Sequence, residues 1–400
     1  MERTTTEQGI PSTKPAHTIR FITYGAFFAF FLFGFIDNIK GPTLPALLSD
    51  LNFSYAQGGT IVFGAYMGFL VATLLTGPLS DIAGKKAVIF VCCLCFFVGI
   101  SAYAAFHTFW LLTLAMTAIG LGLGSVEVGA NLIVVDLYHQ EKGKYLNLLA
   151  FFHGVGSMVA PLYAGRMLAA GMSWQQVYQF SLPLVIALFL YFLFVKYPRT
   201  ASSESNSLDL KKIGKSVFTG EMLLFYIAIA LYVGAEIGIG AWLVEFLQKT
   251  KSQSVMRSSF YLSLFFGGIT LGRFVGSFLV GKIGYLKILF ITSVASSICL
   301  AIGTFGPPAL AFFIPLAGLF FAIVFPTITA AVSELHQENV GTILGILFAF
   351  AGVGGALGPW LVGVMTDYHG LYIGFGMNAL FCIIMSLMFM LLLKHIQKTT

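Results

Sequence analysis

Long runs of apolar residues alternate with short polar segments along the whole chain of 400 residues. Twelve of these runs are long enough for a helix to cross a bilayer, which takes about 20 residues. The pattern predicts spanning helices at 20–47, 57–79, 86–106, 109–137, 145–169, 175–197, 221–247, 257–281, 286–305, 309–334, 341–366 and 371–394. We therefore expect an all-α membrane protein.

One polar segment, rich in serine and charge, separates the sixth predicted helix from the seventh and is typical of a linker. No cleavage site follows the first apolar run, so the first helix is expected to remain in the protein. The predicted organisation is an N-terminal tail at 1–19, a six-helix bundle at 20–197, a linker at 198–218, a second six-helix bundle at 219–394 and a C-terminal tail at 395–400.

The two halves contain related segments. HGVGSMVAP at 153–161 aligns without a gap with AGVGGALGP at 351–359, at an offset of 198 residues. At nearly the same offset, Asp37 in the first helix corresponds to Glu236 in the seventh. Internal repeats with a binding site at their interface are typical of secondary transporters. The sequence thus predicts two pseudo-symmetric six-helix bundles.

Composition and charge narrow the class of protein and its possible partners. The chain is 58% hydrophobic and 10% charged, whereas soluble proteins carry about 25% charged residues, so a water-soluble enzyme is excluded. The net charge is +6, but no basic run exceeds two residues, which argues against nucleic acid as a partner. With a cytoplasmic N-terminus, sixteen Lys and Arg residues lie inside and three outside. We therefore expect both termini in the cytoplasm and the chain in the cell (inner or plasma) membrane.

Metal, redox and enzyme chemistry find little support. All five cysteines lie in apolar segments, and the one C-x-x-C, Cys92 to Cys95, has no second pair. No grouping of catalytic residues recurs at usable spacing. We expect no metal, no cofactor apart from a coupling ion, and no enzymatic activity.

The segment GPLSDIAGKK follows the second predicted helix. It resembles the loop motif G-x-x-x-D-x-x-G-[RK]-[RK] of the major facilitator superfamily, and this resemblance implies the twelve-helix fold of that superfamily. It also implies that the motif latches the cytoplasmic side in the outward-facing state. An ordinary turn with a capping aspartate is the alternative. The implied gating residues are Gly77, Asp81, Gly84, Lys85 and Lys86.

Ionisable residues inside membrane spans cost at least ~2.5–3.5 kcal/mol at a helix centre and are candidates for ion or substrate pathways. Asp37 lies in the first span. Lys40 follows three residues later on the same helix face, so a local ion pair is the alternative to a functional carboxylate.

Glu127 lies in the fourth span, and Asn131 shares its helix face four residues on. Three glycines, Gly120, Gly122 and Gly124, precede Glu127. We expect them to let the fourth helix pack closely against the first.

An acid in the first span and the V-E-x-G-A-N of the fourth resemble the fucose–galactose–glucose symporter branch of the superfamily, which includes sodium-coupled glucose carriers. The resemblance implies that Asp37 and Glu127 couple proton movement to sugar transport, with Na⁺ as the alternative ion. Lys40 departs from the pattern of that branch.

Polar and aromatic residues in or beside the spans are candidates for sugar recognition, although aromatic residues also serve as interfacial anchors and packing residues. The candidates are Asn38, Asn131, Trp242, Gln248, Trp360 and Asn378. His153 and Glu236 are candidate proton relays, and a packing role for His153 is the alternative. Arg273 is a candidate gating or structural residue.

These patterns predict a monomeric secondary transporter, a proton-coupled symporter of a monosaccharide. The alternatives are a proton-driven exporter of a drug or metabolite, a sodium-coupled sugar carrier, and a sensor that keeps the fold without transporting.

Overall fold

The computed structural model describes residues 16–138, 140–195, 218–335 and 340–399. The N-terminal half contains α1 (Ala16–Asn38), α2 (Lys40–Leu51), α3 (Tyr55–Ala83), α4 (Lys85–Ala105), α5 (Phe109–Leu137), α6 (Lys142–Ala169), α7 (Trp174–Gln179) and α8 (Leu182–Phe194). The C-terminal half contains α9 (Gly220–Lys251), α10 (Val255–Ile283), α11 (Tyr285–Phe305), a 3₁₀ turn (Pro308–Leu310), α12 (Phe313–Phe321), α13 (Val324–Leu335), α14 (Val340–His369) and α15 (Leu371–Thr399).

All regular structure in these ranges is helical, and it forms twelve spans long and apolar enough to cross a membrane. The predicted all-α class and span count are confirmed. The fourth predicted span, 109–137, coincides with α5. Of the predicted linker only residue 218 is described, and the first fifteen residues of the predicted N-terminal tail also lie outside the described ranges. The predicted tail at 395–400 differs, since α15 continues to Thr399.

Three spans are built from two helices each: α1 with α2, α7 with α8, and α12 with α13. A proline follows each interruption: Pro42 and Pro183 lie four residues after the last residue of the preceding helix, and Pro326 lies five residues after it. Proline has no N–H for the carbonyl four residues earlier, so the helix loses a hydrogen bond at that point. The first interruption lies between Asp37 and Lys40, where the sequence places its candidate carboxylate.

The internal repeat is visible in the backbone. Helices α3 and α10 both have 29 residues, and α4 and α11 both have 21, at an offset of 200. Asn52 and Ser252, just before α3 and α10, are both left-handed, with φ of 54° and 52°. Gly84 and Gly284, just after these helices, both have φ of +88°, which favours glycine. The two halves therefore repeat the same helix–turn–helix geometry.

Glycines let equivalent helices approach in both halves. Gly156 of α6 lies against the Phe31 carbonyl of α1, and Gly354 of α14 lies against the Ala230 carbonyl of α9. In each case an added Cβ atom would overlap the carbonyl oxygen. Such close backbone approach is a common way to pack membrane helices. These two glycines of the repeated motif thus serve helix packing within each half.

Gly354→Ala is expected to lower the melting temperature of the purified protein in detergent, because the new methyl group overlaps the Ala230 carbonyl. Overpacking of this kind costs roughly 1–3 kcal/mol. Gly345→Ala is the control on the same helix, since its Cβ atom meets nothing within 4 Å. It is expected to be neutral or to stabilise by about 0.5–1 kcal/mol, the usual gain of alanine over glycine in a helix. Equal melting temperatures for both variants would contradict the packing.

Candidate functional site

The first candidate carboxylate is engaged in a buried ion pair. The Lys40 ammonium contacts Asp37 Oδ1 and donates a second hydrogen bond of 2.5 Å to the Asp37 carbonyl. Only 10% of the Asp37 side chain and 5% of the Lys40 side chain are exposed. The local Asp37–Lys40 ion pair, which the i, i+3 spacing suggested as the alternative to a functional carboxylate, is therefore formed in this structure.

Tyr66 of α3 completes this cluster. Its hydroxyl donates to Asp37 Oδ2 at 3.1 Å, and the Lys40 ammonium lies 5.2 Å from the centre of the Tyr66 ring. The ring packs beside Gly355 of α14, where an added Cβ would lie 3.0 Å from a ring carbon. A helix of the C-terminal half thus reaches the cluster, which we call the Asp37 cluster: Asp37, Lys40 and Tyr66.

The second candidate carboxylate has a local amide partner. Asn131 donates to the Glu127 carboxylate at 3.2 Å and to the Glu127 carbonyl at 2.7 Å, so the predicted shared face is present. The expected packing of the nearby glycines is wrong, however. Gly120 and Gly124 meet the backbone of α3, and Gly122 meets a ring of α4. The fourth span therefore uses its glycines against the second and third spans.

Arg273 of α10 lies among the acids of both halves. It is close enough to Glu127, Glu236 and His153 to interact with each electrostatically. All four side chains are partly exposed although each lies well inside a spanning helix. The sequence suggested Arg273 as a gating or structural residue. The structure instead groups it with the predicted coupling and relay residues, between the two bundles.

Two predicted sugar-binding residues have hydrogen-bond partners inside their own bundle. Asn38 donates to the Gly34 carbonyl at 2.9 Å and to Ser157 Oγ at 3.1 Å. Asn378 is fully buried and donates to the Phe375 carbonyl at 2.9 Å. These bonds hold α1 against α6 and fix a turn of α15, which leaves the two amides less available to a ligand.

The remaining predicted sugar-binding residues on the C-terminal half lie near one end of the molecule. Trp242 is fully buried and donates its indole N–H to the Pro359 carbonyl at 2.8 Å. Gln248 is partly exposed in the last turn of α9. Trp360 is partly exposed, and its backbone lies against Gly59 of α3. Of this group, both Trp242 and Trp360 contact α3 of the other half.

The predicted gating motif lies at the α3–α4 turn. Lys85 forms an ion pair with Asp136 at 3.1 Å, and Lys86 donates to the Val195 carbonyl at 2.8 Å, both within the N-terminal half. Asp81 is exposed, and nothing lies within 4 Å of a Cβ atom added at Gly77. Within the described ranges, no ion pair joins Asp81 to the C-terminal half.

In the described ranges, the hydrogen bonds and glycine contacts between the two halves lie toward one end of the bundles. Hydrogen bonds and glycine contacts between α3 and α14, and between α6 and α10, pair these residues: Tyr55–Asp367, Gly59–Trp360, Tyr66–Gly355, Leu70–Gly352, Gly165–Ser259, Met158–Ser263 and Gly154–Thr270. Past Leu70 and Thr270, no hydrogen bond joins the described parts of the halves. We call the end with the α2–α3 and α9–α10 turns the closed end, and the end with the α3–α4 and α10–α11 turns the open end.

A carboxylate at the closed end caps a helix of the other half. The backbone N–H groups of Tyr55 and Ala56, in the first turn of α3, donate to Asp367 of α14 at 3.0 and 2.7 Å. The Tyr55 hydroxyl also donates to Glu245 of α9 at 2.9 Å. A carboxylate at a helix N-terminus is favourable because it satisfies free N–H groups and the helix dipole. Nothing in the sequence singled out Asp367, because its partners lie more than 300 residues away.

Two repeated six-helix bundles, with ionisable side chains concentrated between them, define the architecture of a secondary transporter. The chain belongs to the Major Facilitator Superfamily, which it matches over residues 26–309 and 224–399. The resemblance found in the α3–α4 turn is therefore confirmed across the whole fold.

Similar sequences include named sugar carriers. The chain is 27% identical over 390 residues to the glucose/galactose transporter of Brucella abortus biovar 1 (strain 9-941), covering 92% of this chain and 94% of the relative. It is 26% identical over 369 residues to the putative glucose/galactose transporter of Helicobacter pylori (strain J99 / ATCC 700824), covering 84% and 87%.

Similar solved structures confirm the fold. A mutant of the nucleoside transporter NupG has a TM-score of 0.79 at 16% identity, covering 93% of this chain and 99% of that one. A bacterial homolog of the human lysosomal transporter Spinster, inward-facing and occupied, has a TM-score of 0.78 at 14% identity, covering 95% and 97%. The transporter FucP in the outward conformation has a TM-score of 0.60 at 19% identity, covering 94% and 99%.

Asp367→Asn is expected to loosen the closed end, because the charged acceptor of two backbone N–H groups is lost. A cysteine at Gly240 reports this opening: Gly240 is buried, and its Cβ position lies 3.4 Å from the Phe266 ring, an ordinary contact. With the five native cysteines replaced, we expect a water-soluble maleimide to label Gly240→Cys about tenfold faster in the Asp367→Asn background, equivalent to ~1.4 kcal/mol.

Asp50→Asn is the matched control. Asp50 is also an aspartate at the closed end, but it accepts a hydrogen bond of 3.0 Å from Trp174 within the N-terminal half. It is expected to leave the labelling rate unchanged. If Gly240→Cys is labelled at the same rate with and without Asp367→Asn, the hydrogen bonds from α3 to Asp367 do not hold the halves together.

Proposed function

We propose that the chain is a proton-coupled symporter of a monosaccharide, a hexose such as glucose, galactose or fucose, that works by alternating access. The observation that carries the proposal is the cluster of ionisable groups between the bundles, at the point where their contact ends. Charged residues within spans mark ion or substrate pathways. The similar glucose/galactose transporters support a hexose, and the similar fold of the nucleoside transporter is equally compatible with another polar solute.

The structure supports an inward-facing assignment. Under the positive-inside rule, the open end, which carries Lys85 and Lys86, faces the cytoplasm. The closed end then faces outward and is sealed by Asp367 on the first turn of α3. The exposure of Asp81 is consistent with an inward-facing state, because the resemblance implies that the α3–α4 motif holds the cytoplasmic side closed only in the outward-facing state.

The Asp37 cluster favours H⁺ over Na⁺ as the coupling ion. A sodium ion needs several oxygen ligands, and the position beside the Asp37 carboxylate is already taken by the Lys40 ammonium. A proton needs only a lone pair on the carboxylate. Glu127 is the second proposed coupling group, and its carboxylate faces Arg273 across the space between the halves.

The driving force is sufficient for accumulation. One proton moving through ~100–150 mV gains about 2–3.5 kcal/mol, and one pH unit adds about 1.4 kcal/mol. At tenfold per ~1.4 kcal/mol, this holds a neutral solute at a gradient of about a thousandfold.

For the substrate we propose Asn131 and Trp360 as the first contacts, since both are partly exposed beside the space between the bundles. Gln248 stays a candidate at the closed end. We propose a weaker or indirect role for Asn38, Trp242 and Asn378, whose side-chain N–H groups already donate to partners within the protein. We further propose that the protein works as a monomer in the cell membrane with both termini in the cytoplasm.

Purified protein in liposomes tests the proposal. With an alkaline interior, it is expected to accumulate at least one labelled hexose from a panel of glucose, galactose and fucose. Asp37→Asn and Glu127→Gln are expected to lose accumulation but to keep exchange of internal for external sugar, because exchange needs no net proton movement. Asp50→Asn is the control and is expected to accumulate normally.

Each alternative gives a different result. Hexose accumulation driven only by a sodium gradient would show that the coupling ion is Na⁺ and not H⁺. Proton-driven extrusion of a lipophilic cation without hexose uptake would indicate an exporter. Absence of hexose transport under every gradient would reject the sugar symporter.

A further inference from the structure

The pair between Asp37 and Lys40 is placed at an unusual point of the backbone. It lies at the interruption between α1 and α2, where Pro42 supplies no N–H. The Lys40 ammonium donates to the Asp37 carbonyl as well as to its carboxylate. Lys40 therefore has two neutral partners that protonation of Asp37 does not remove, the Asp37 carbonyl and, at 3.4 Å, the Tyr66 hydroxyl, and one anionic partner that a proton neutralises, the Asp37 carboxylate.

The surroundings of Asp37 hold no second cation that pairs with it in the described part of the chain. The titratable groups that face it from other helices are Tyr66 of α3, His153 of α6, Tyr178 of α7 and Glu236 of α9. Tyr66 donates its hydroxyl to the carboxylate at 3.1 Å. Compensation of an ionised Asp37 therefore depends on Lys40.

Proton binding changes what the ammonium can do. When a proton from water adds to a carboxylate oxygen, the carboxylate becomes a neutral carboxyl group and no other bond breaks. The ammonium keeps its charge and its bond to the Asp37 carbonyl. One of its three N–H groups then loses an anionic acceptor and can donate to a neutral oxygen instead.

We propose that Lys40 is a substrate-binding residue that links the two ligands: the proton on Asp37 releases its ammonium to donate to a hydroxyl oxygen of the sugar. This inference rests on the proposed function. In the absence of a proton the ammonium stays on Asp37, so the empty cluster is electrically balanced and sugar binds weakly. Proton and sugar then raise each other's affinity by the same factor.

The test measures the affinity of purified protein for the hexose transported in liposomes, by calorimetry, from pH 5.5 to pH 8. The wild type is expected to bind more tightly as the pH falls, by at most about tenfold per pH unit for one linked proton. Asp37→Asn is expected to bind at the tight limit at every pH, because its amide carries no charge to hold the ammonium.

Lys40→Met is expected to bind about tenfold or more weakly than the wild type at low pH, and with little dependence on pH. The double variant Asp37→Asn/Lys40→Met is expected to match Lys40→Met. Lys40→Arg keeps a cationic donor and is expected to keep the pH dependence. Lys144→Met is the control, because Lys144 forms an i, i+3 pair with Glu141 that is exposed at the surface; it is expected to behave as the wild type.

Several results would overturn the inference. The first is a pH dependence in Lys40→Met as steep as in the wild type. Another is weak binding by Asp37→Asn. If Lys40→Met does not fold, the double variant Asp37→Asn/Lys40→Met replaces it, because that variant buries no unpaired charge. Tight hexose binding by the double variant would contradict the proposal. Weak binding by the double variant, with tight binding by Asp37→Asn, would support it. Lack of hexose binding by the wild type rejects the proposed function and this inference with it.

Discussion

The ion pair between Asp37 and Lys40 places two opposite charges where one alone would cost several kcal/mol in the membrane interior. The remaining ionisable groups of the core obey the same constraint, since Glu127 and Glu236 of opposite halves share Arg273. The Asp37 and Lys40 side chains are almost fully buried, and those of Glu127, Glu236 and Arg273 are partly exposed. Lipid cannot solvate these charges, so they must be compensated by one another within the protein. The need to compensate charge thus places the candidate transport site.

Helix packing makes the space between the bundles possible. Glycines such as Gly156 and Gly354 let helices of one half touch along their backbones, so each bundle is compact by itself. The contacts between the halves are fewer and lie at the closed end, where Asp367 caps α3. Interactions within each half can therefore stay intact while those between the halves form and break. This division is what the proposed alternating access requires, because two rigid bundles can then rock against each other.

Much of the fold can be predicted from the sequence, because a bilayer demands about 20 apolar residues per helix and both halves repeat one pattern. The interruptions at Pro42, Pro183 and Pro326 also have a local cause. The site is only partly predictable. The Asp37–Lys40 pair follows from i, i+3 spacing, whereas the position of Arg273 beside Glu127 depends on how two distant helices meet.

Other parts of the site could not be read from the sequence for the same reason. Asn378 and Trp242 are residue types that bind sugars, yet the fold gives their side-chain N–H groups backbone carbonyl acceptors. Asp367 carries no local signal, since its partners lie in the first turn of a helix in the other half.

The central claim is that one sugar and one proton bind to the same space between the bundles. The most direct test is calorimetry of hexose binding at one pH, repeated in buffers of different ionisation enthalpy. The slope of the observed binding enthalpy against the buffer ionisation enthalpy gives the number of protons taken up per sugar. At a pH where the Asp37 carboxyl of the unliganded wild type is ionised, the account predicts that close to one proton is taken up per hexose bound. The Asp37→Asn variant is expected to take up no proton. Binding of the hexose without proton uptake at any pH would contradict it.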